Sequence, residues 1–206
     1  MLVICLEGPH GAGKSSLLHQ FEQHGFPILD EAFLNIPNAT LHPQSLTMEV
    51  AWVSAWFQRL LRMKENSNVS NKVFIADRSP FSAELYASNG HLLSSMLKSM
   101  VEELEHNAGI KIVTVYLKVD PNILWSRIQS RLAREPSRQL YNEHKYSWMQ
   151  TVLEFYGSRQ WDYVVSNNND LRQCLLEVKD VLQDNSNYFS SKSLGTEYVN
   201  SIFASV

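Results

Sequence analysis

Gly8-Pro9-His10-Gly11-Ala12-Gly13-Lys14-Ser15 places two glycines, a lysine and a hydroxyl at the four defined positions of the Walker A pattern, with Ser16 directly behind. The chemistry of such a string is phosphate holding. Glycine lets the backbone turn tightly and bring its N–H groups onto phosphate oxygens with no side chain between them. Lys14 then reaches the β- and γ-phosphates, and the Ser15 hydroxyl serves a magnesium ion bridging the same oxygens. ATP and Mg2+ are therefore the expected cofactors, held by Gly8, Pro9, His10, Gly11, Ala12, Gly13, Lys14, Ser15 and Ser16. The string says nothing about where the phosphoryl group goes.

Three further groups of residues bear on that question. Asp77-Arg78-Ser79 closes an apolar run; at the carboxyl end of a strand beside the loop, the carboxylate serves metal-bound water and the guanidinium grips phosphate with two bonds. Asp30-Glu31 closes another run. Transfer to a hydroxyl needs a carboxylate near the attacking oxygen, whereas transfer to a phosphate needs mainly positive charge, so Glu31 is the candidate base for a hydroxyl acceptor. Finally, Arg127, Arg131, Arg134 and Arg138 recur every three or four residues around Pro136, a spacing that projects guanidiniums toward one side. Arg131 and Arg134 are the two expected to stabilise the phosphoryl in flight.

These residues need strand ends to stand on. Apolar runs at Leu2–Leu6, Pro27–Leu29, Lys72–Ala76, Lys111–Val119 and Tyr163–Val165 alternate with longer helical-period segments, the pattern of a parallel sheet covered on both faces. Helices are expected at Lys14–His24, Leu46–Met63, Ser82–Ala87, Leu92–His106, Asn122–Arg131, Asn142–Tyr156 and Leu171–Gln183. In the sixth, Tyr146, Met149, Val152, Leu153 and Tyr156 are expected to face inward. The fold class is α/β: five parallel strands, helices on both sides, and an arginine-bearing lid at about 131–141. A single phosphate-binding domain is expected over 1–183. The polar segment 184–206 reads as a loose tail that Tyr198, Ile202 and Phe203 would have to dock.

With 206 residues, 44% apolar, the chain can bury one sizeable core, and a net charge of -3 gives no field to hold a nucleic acid. Cys5 and Cys174 sit singly in apolar runs and the seven histidines are scattered, so neither a disulfide nor a zinc site is expected. No signal-peptide core and no bilayer-length apolar run is present, and a cytoplasmic location without membrane contact is expected. A GTPase would need an Asp-x-x-Gly switch and an Asn/Thr-Lys-x-Asp base reader, and neither occurs.

From Leu6 to Ser16 the chain resembles the first motif of thymidylate kinases and their deoxynucleoside kinase relatives, and Asp77-Arg78 resembles the Asp/Glu-Arg motif of both. The resemblance implies a P-loop nucleoside or nucleotide kinase, running from about Leu2 to Gln183. Ser82 and Tyr86 fall where thymidylate kinases carry a serine and a tyrosine, which implies substrate contact. Deoxynucleoside kinases place their catalytic glutamate after a similarly short first helix, as Glu31 is placed. Where thymidylate kinases usually carry Arg-Glu-Pro, this chain reads Asp30-Glu31-Ala32. The base-reading glutamine of deoxynucleoside kinases is not reproduced: Trp52 stands seven before Arg59. Trp52 and Trp56 are either base-stacking residues or core. Glu31, Trp52, Trp56, Arg59, Arg78, Ser82 and Tyr86 are the expected substrate contacts, Asp77 and Ser15 the metal ligands. The function expected is phosphorylation of a (deoxy)nucleoside 5'-hydroxyl; a thymidylate-kinase-type monophosphate kinase and a noncatalytic ATP-binding module are the alternatives. The partner is a small nucleoside or nucleotide, and the resembled kinases commonly dimerise.

Overall fold

The computed structural model describes residues 1–32, 40–65, 73–168 and 170–188. Five strands, β1 (Leu2–Glu7), β2 (Ile28–Leu29), β3 (Val73–Asp77), β4 (Lys111–Lys118) and β5 (Tyr163–Ser166), form one sheet in the order β2-β3-β1-β4-β5. All pairings are parallel. β1 is central, in register with β3 from Leu2 opposite Val73 to Leu6 opposite Asp77.

Alternation along β1 divides the core. Leu2, Ile4 and Leu6 face one layer with Leu17 and Phe21 of α1 (Lys14–Gln23) and Cys174 and Val178 of α7 (Leu171–Asp184). Val3 and Cys5 face the other, with Trp52, Trp56 and Leu60 of α2 (Leu46–Glu65) and Leu97 and Leu104 of α4 (Ser94–Ala108). Successive strand side chains point to opposite faces, so a sheet covered on both sides needs apolar residues at every position, and each such aliphatic side chain contributes about 1.5–3 kcal/mol of burial. Both cysteines are free and buried.

The crossovers stop where their sequences tell them to. Asp120 caps α5 (Pro121–Leu132), accepting from the amides of Asn122 and Ile123, and Pro121 occupies the first helical position, where no amide is needed. Asp170 caps α7 in the same way. Gly109 ends α4 at φ 61°, a left-handed turn that glycine adopts at no cost. α3 (Ala83–Tyr86) follows a 3-10 turn, Pro80–Ser82, after β3.

Several expectations shift. β1 runs one residue further, through Glu7, whose charge looked like the end of the strand. α6 (Tyr146–Ser158) begins at Tyr146 rather than Asn142, because Pro136–Tyr141 forms a 3-10 turn ending at Asn142 in a left-handed conformation, φ 61°. Tyr146, expected inward, is 45% exposed and lies edge-on against Trp125, while Met149, Val152 and Tyr156 are buried. Residues 186–188 make a 3-10 turn after α7, while Lys72 and the tail residues Tyr198, Ile202 and Phe203 lie outside the described residues.

Candidate active site

The Walker loop leaves the central strand at Gly8 and enters α1 through Gly13, which stands at φ 92°. Glycine is required there twice over: the backbone is left-handed, and a Cβ would lie 2.4 Å from Asn167 Nδ2. That amide nitrogen donates to Ala12 O at 2.7 Å and holds the loop from the β5 side. No side chain caps the start of α1, so its first amides are left for an anion, as at other phosphate-binding helix ends.

Lys14 is buried and donates to Gly8 O at 2.8 Å and Pro9 O at 3.0 Å. Burial, aided by the positive charge of Arg78, lowers its pKa to about 8; a polyanion alongside would reverse that effect. Ser15 Oγ donates to Asp77 Oδ2 at 3.1 Å, while Asp77 Oδ1 is buried without a partner among the described residues. A hydroxyl and a carboxylate with an unused oxygen are the hard donors that suit magnesium and its bound water, so these residues fit the expected cation.

Behind them lies a charged hub that sequence reasoning did not find. Glu7 is fully buried. Its Oε1 accepts from Ser79 N at 2.7 Å and Ser79 Oγ at 2.5 Å; its Oε2 accepts from Ser82 Oγ at 2.8 Å and Tyr156 OH at 3.1 Å. Four donors offset the desolvation of one carboxylate. The same Tyr156 OH accepts from Arg78 Nη1 at 3.1 Å. Arg78, itself 2% exposed, adopts φ 70° and lays its guanidinium 4.7 Å from the Tyr86 ring centre. A bulky residue held left-handed is uncommon, and here Asp77 before it is fixed by strand pairing and Ser15, and Ser79 after it by Glu7. Arg78 Nε lies 3.2 Å from Glu31 Oε1, an ion pair whose angle falls short of a hydrogen bond.

Two cavities meet at the loop. One, about 460 Å³, is lined by Gly11, Gly13, Lys14, Ser15 and Ser16 together with Arg127, Arg131 and Arg134. The other, about 400 Å³, is walled by Glu31, Glu49, Trp52, Arg78, Ser82 and Tyr86 and roofed by the 135–143 segment. Glu135 lines both. It pairs with Arg131 at 3.3 Å and with Arg138, which also reaches the buried Glu143 at 3.0 Å. Arg134 donates to Ser130 O and Arg127 to Asn167 O.

The structure thus brings Lys14, Ser15, Ser16, Arg131 and Arg134 to one cavity and Glu31, Trp52, Arg78, Ser82 and Tyr86 to the other, with Ser15 and Asp77 in contact. Three expected contacts go elsewhere. Trp56 is 1% exposed inside the α2 layer, one turn too far along the helix to reach the second cavity. Arg59 donates to Asp30 Oδ1 and Asp30 O beside a separate hollow under β2. The His10 ring turns away from the phosphate side to Glu143, 3.2 Å off, and to the Tyr86 ring. Burial and the surrounding cations, Arg78 and Lys14 first, hold the His10 pKa well below its ordinary value.

A family model described as an AAA domain matches residues 4–149. The chain belongs to that AAA-domain family. The matched span takes in β1, the Walker loop, the Asp77-Arg78 turn and the arginine segment. This AAA-domain chain is 23% identical over 145 residues to the thymidylate kinase of Colwellia psychrerythraea (strain 34H), covering 62% of the chain and 68% of that relative. Among solved structures, it superposes on deoxyadenosine kinase from M. mycoides, solved with dCMP and a flexible dCDP, with TM-score 0.56 and 17% identity over 88% of this chain and 99% of that one. Thymidylate kinase from Candida albicans gives 0.56 at 13% identity over 90% and 92%. Shikimate kinase from Bacteroides thetaiotaomicron gives 0.51 at 19% over 88% and 98%. The AAA-domain chain therefore has the fold of P-loop kinases of small molecules. No helix among its described residues is long and apolar enough to cross a membrane.

Proposed function

We propose that this chain transfers the terminal phosphoryl group of ATP to the 5'-hydroxyl of a (deoxy)nucleoside. The observation that carries the reading is the position of Glu31: its carboxylate sits in the wall of the second cavity, half exposed and paired with Arg78. A hydroxyl arriving there meets an acceptor for its proton. A phosphate arriving there meets the negative charge of Glu31 and a guanidinium already engaged with it. Glu31 takes the proton from the attacking oxygen, and Arg78 holds Glu31 in place.

On the other side of the loop, Lys14 exchanges its two loop carbonyls for the β- and γ-phosphates, and Arg131 and Arg134 close on the transferring group. Ser15 and Asp77 would hold magnesium, which would supply charge neutralisation when bound. The uncapped amides of α1 orient the donor, and Trp52 supplies a flat wall for the acceptor. This reading carries with it a small-molecule partner and a cytoplasmic setting.

A second reading, transfer to a nucleoside monophosphate, is favoured by one observation: Arg78 and Arg138 both line the acceptor cavity, and two guanidiniums suffice to hold a phosphate if Glu31 swings out. The two readings separate in a single assay. Purified protein with ATP and magnesium is offered each nucleoside and each monophosphate, and products are identified by mass. Product from nucleosides is expected, with Glu31→Gln lowering kcat by about 10²-fold or more while KM for ATP holds. Product from monophosphates alone would overturn the hydroxyl reading.

A further inference from the structure

A second carboxyl faces the acceptor cavity and takes no part in the scheme above. Glu49, in the first turn of α2, is 4% exposed and walls the cavity between Gln44 and Trp52. Its side chain has neither a hydrogen-bond partner nor an ion-pair partner among the described residues. The charged and titratable groups facing it are Glu31, Arg78 and Tyr86 across the cavity and Glu135, Arg138, Tyr141, Glu143 and His10 from the roof and the loop. Glu31 repels a second negative charge, and of the two arginines lining the cavity Arg78 is committed to Glu31 and Tyr156 and Arg138 to Glu135 and Glu143. Burial, with the Glu31 charge adding to it and Arg78 opposing it, pushes Glu49 up to about 8.

A carboxyl kept neutral is a different recognition group from a carboxylate. The ionised form only accepts, whereas the neutral form presents one donor beside one acceptor. That pair matches the edge of a nucleobase on which an acceptor atom neighbours an N–H. Trp52 lies three residues further on the same helix face, and its indole is pinned by donation to Glu31 O at 2.7 Å. A base entering the cavity beside the largely buried Trp52, with its sugar end at Glu31, presents its polar edge to Glu49.

We propose that Glu49 is a specificity-determining residue that reads the acceptor's base through a neutral carboxyl, donating one hydrogen bond and accepting one. The inference rests on the acceptor being a nucleoside or nucleotide, and it is indifferent to whether the hydroxyl or the phosphate is attacked.

The test measures KM for thymidine, deoxycytidine, deoxyadenosine and deoxyguanosine, and for their 5'-monophosphates, from pH 6 to 9.5. ATP is kept saturating so that titration of Lys14 falls on the donor side. In the wild type, KM for the preferred substrate rises by up to about tenfold per pH unit above about pH 8. Glu49→Gln keeps a donor beside an acceptor but cannot ionise, so its KM at pH 7 stays within about threefold and the alkaline rise disappears. Glu49→Leu raises KM at pH 7 by about tenfold with kcat nearly unchanged. A wild-type KM that is flat through pH 9.5, or the same rise retained in Glu49→Gln, would overturn the assignment. So would a Glu49 Cδ carbon resonance, followed by NMR in the wild type, that titrates with the other glutamates. If none of these substrates turns over, calorimetric binding of the same compounds replaces KM, and pH-insensitive or absent binding overturns it. Which class of acceptor yields product decides the hydroxyl reading separately.

Discussion

Replacing Glu7 by Gln preserves size and shape and removes only the charge and one acceptor. In the folded protein Oε2 takes hydrogen bonds from both Ser82 Oγ and Tyr156 OH. An amide nitrogen in that place donates instead, and Tyr156 OH already receives Arg78 Nη1. The tyrosine proton is then left with only Ser82 Oγ, 3.4 Å away, in reach, which costs about 1–3 kcal/mol, and the remaining bonds lose their charge assistance. The total expected for Glu7→Gln is about 2–4 kcal/mol. Tyr156→Phe deletes one donor to Glu7 and one acceptor for Arg78, at about 2 kcal/mol. The double variant is the informative one, because removing the hydroxyl removes the proton that Glu7→Gln strands. Urea unfolding at pH 7 of all four proteins should show the double variant more stable than additivity by about 1–2 kcal/mol. Losses that add to within about 0.5 kcal/mol would refute the hub as a coupled unit.

Two other variants report on stability. Gly90→Ala would place a Cβ 2.2 Å from Glu84 O and 2.9 Å from Ala83 O, both backbone atoms of α3, so thermal unfolding should show a loss of about 2–3 kcal/mol; an unchanged melting temperature would mean α3 yields freely. For Glu49 the sign follows from its raised pKa: the folded protein holds the proton more tightly than the unfolded chain, so stability falls as pH rises from about 4.5 towards about 8. Glu49→Gln does not titrate, and its advantage over the wild type should grow by about 2–3 kcal/mol between pH 5 and pH 7. An advantage that does not change with pH would show that the carboxyl is ionised in the folded protein.

The sheet was legible because its strands are buried on both faces and read as uninterrupted apolar runs, and the Walker loop because its glycines, lysine and serine follow one of them. The Asp77-Arg78 turn was legible for the same reason. What stayed hidden depends on distant pairing. Glu7 reads locally as the polar end of a strand, and nothing near it in the chain announces the serines and tyrosine that bury it. Glu49 reads as an acid that any helix N-terminus attracts; its meaning comes from Glu31 having already taken Arg78. Trp52 and Trp56 are indistinguishable by period, and only the point where the sheet edge ends separates the cavity wall from the core. The left-handed Arg78 has no signature at all, since no glycine marks it.

The central position of β1 has a consequence for how the protein is made. Synthesis delivers this strand before the other four, and the partners of Glu7 lie 72, 75 and 149 residues further along. Contacts between residues that far apart form slowly, because the intervening chain must be ordered before they stabilise anything. Until Tyr156 has emerged, the strand carries a carboxylate that no compact arrangement of the nascent chain can bury cheaply. Premature collapse around the most apolar segment of the chain is thereby penalised, and the phosphate loop acquires its rigid base only when the sixth helix docks.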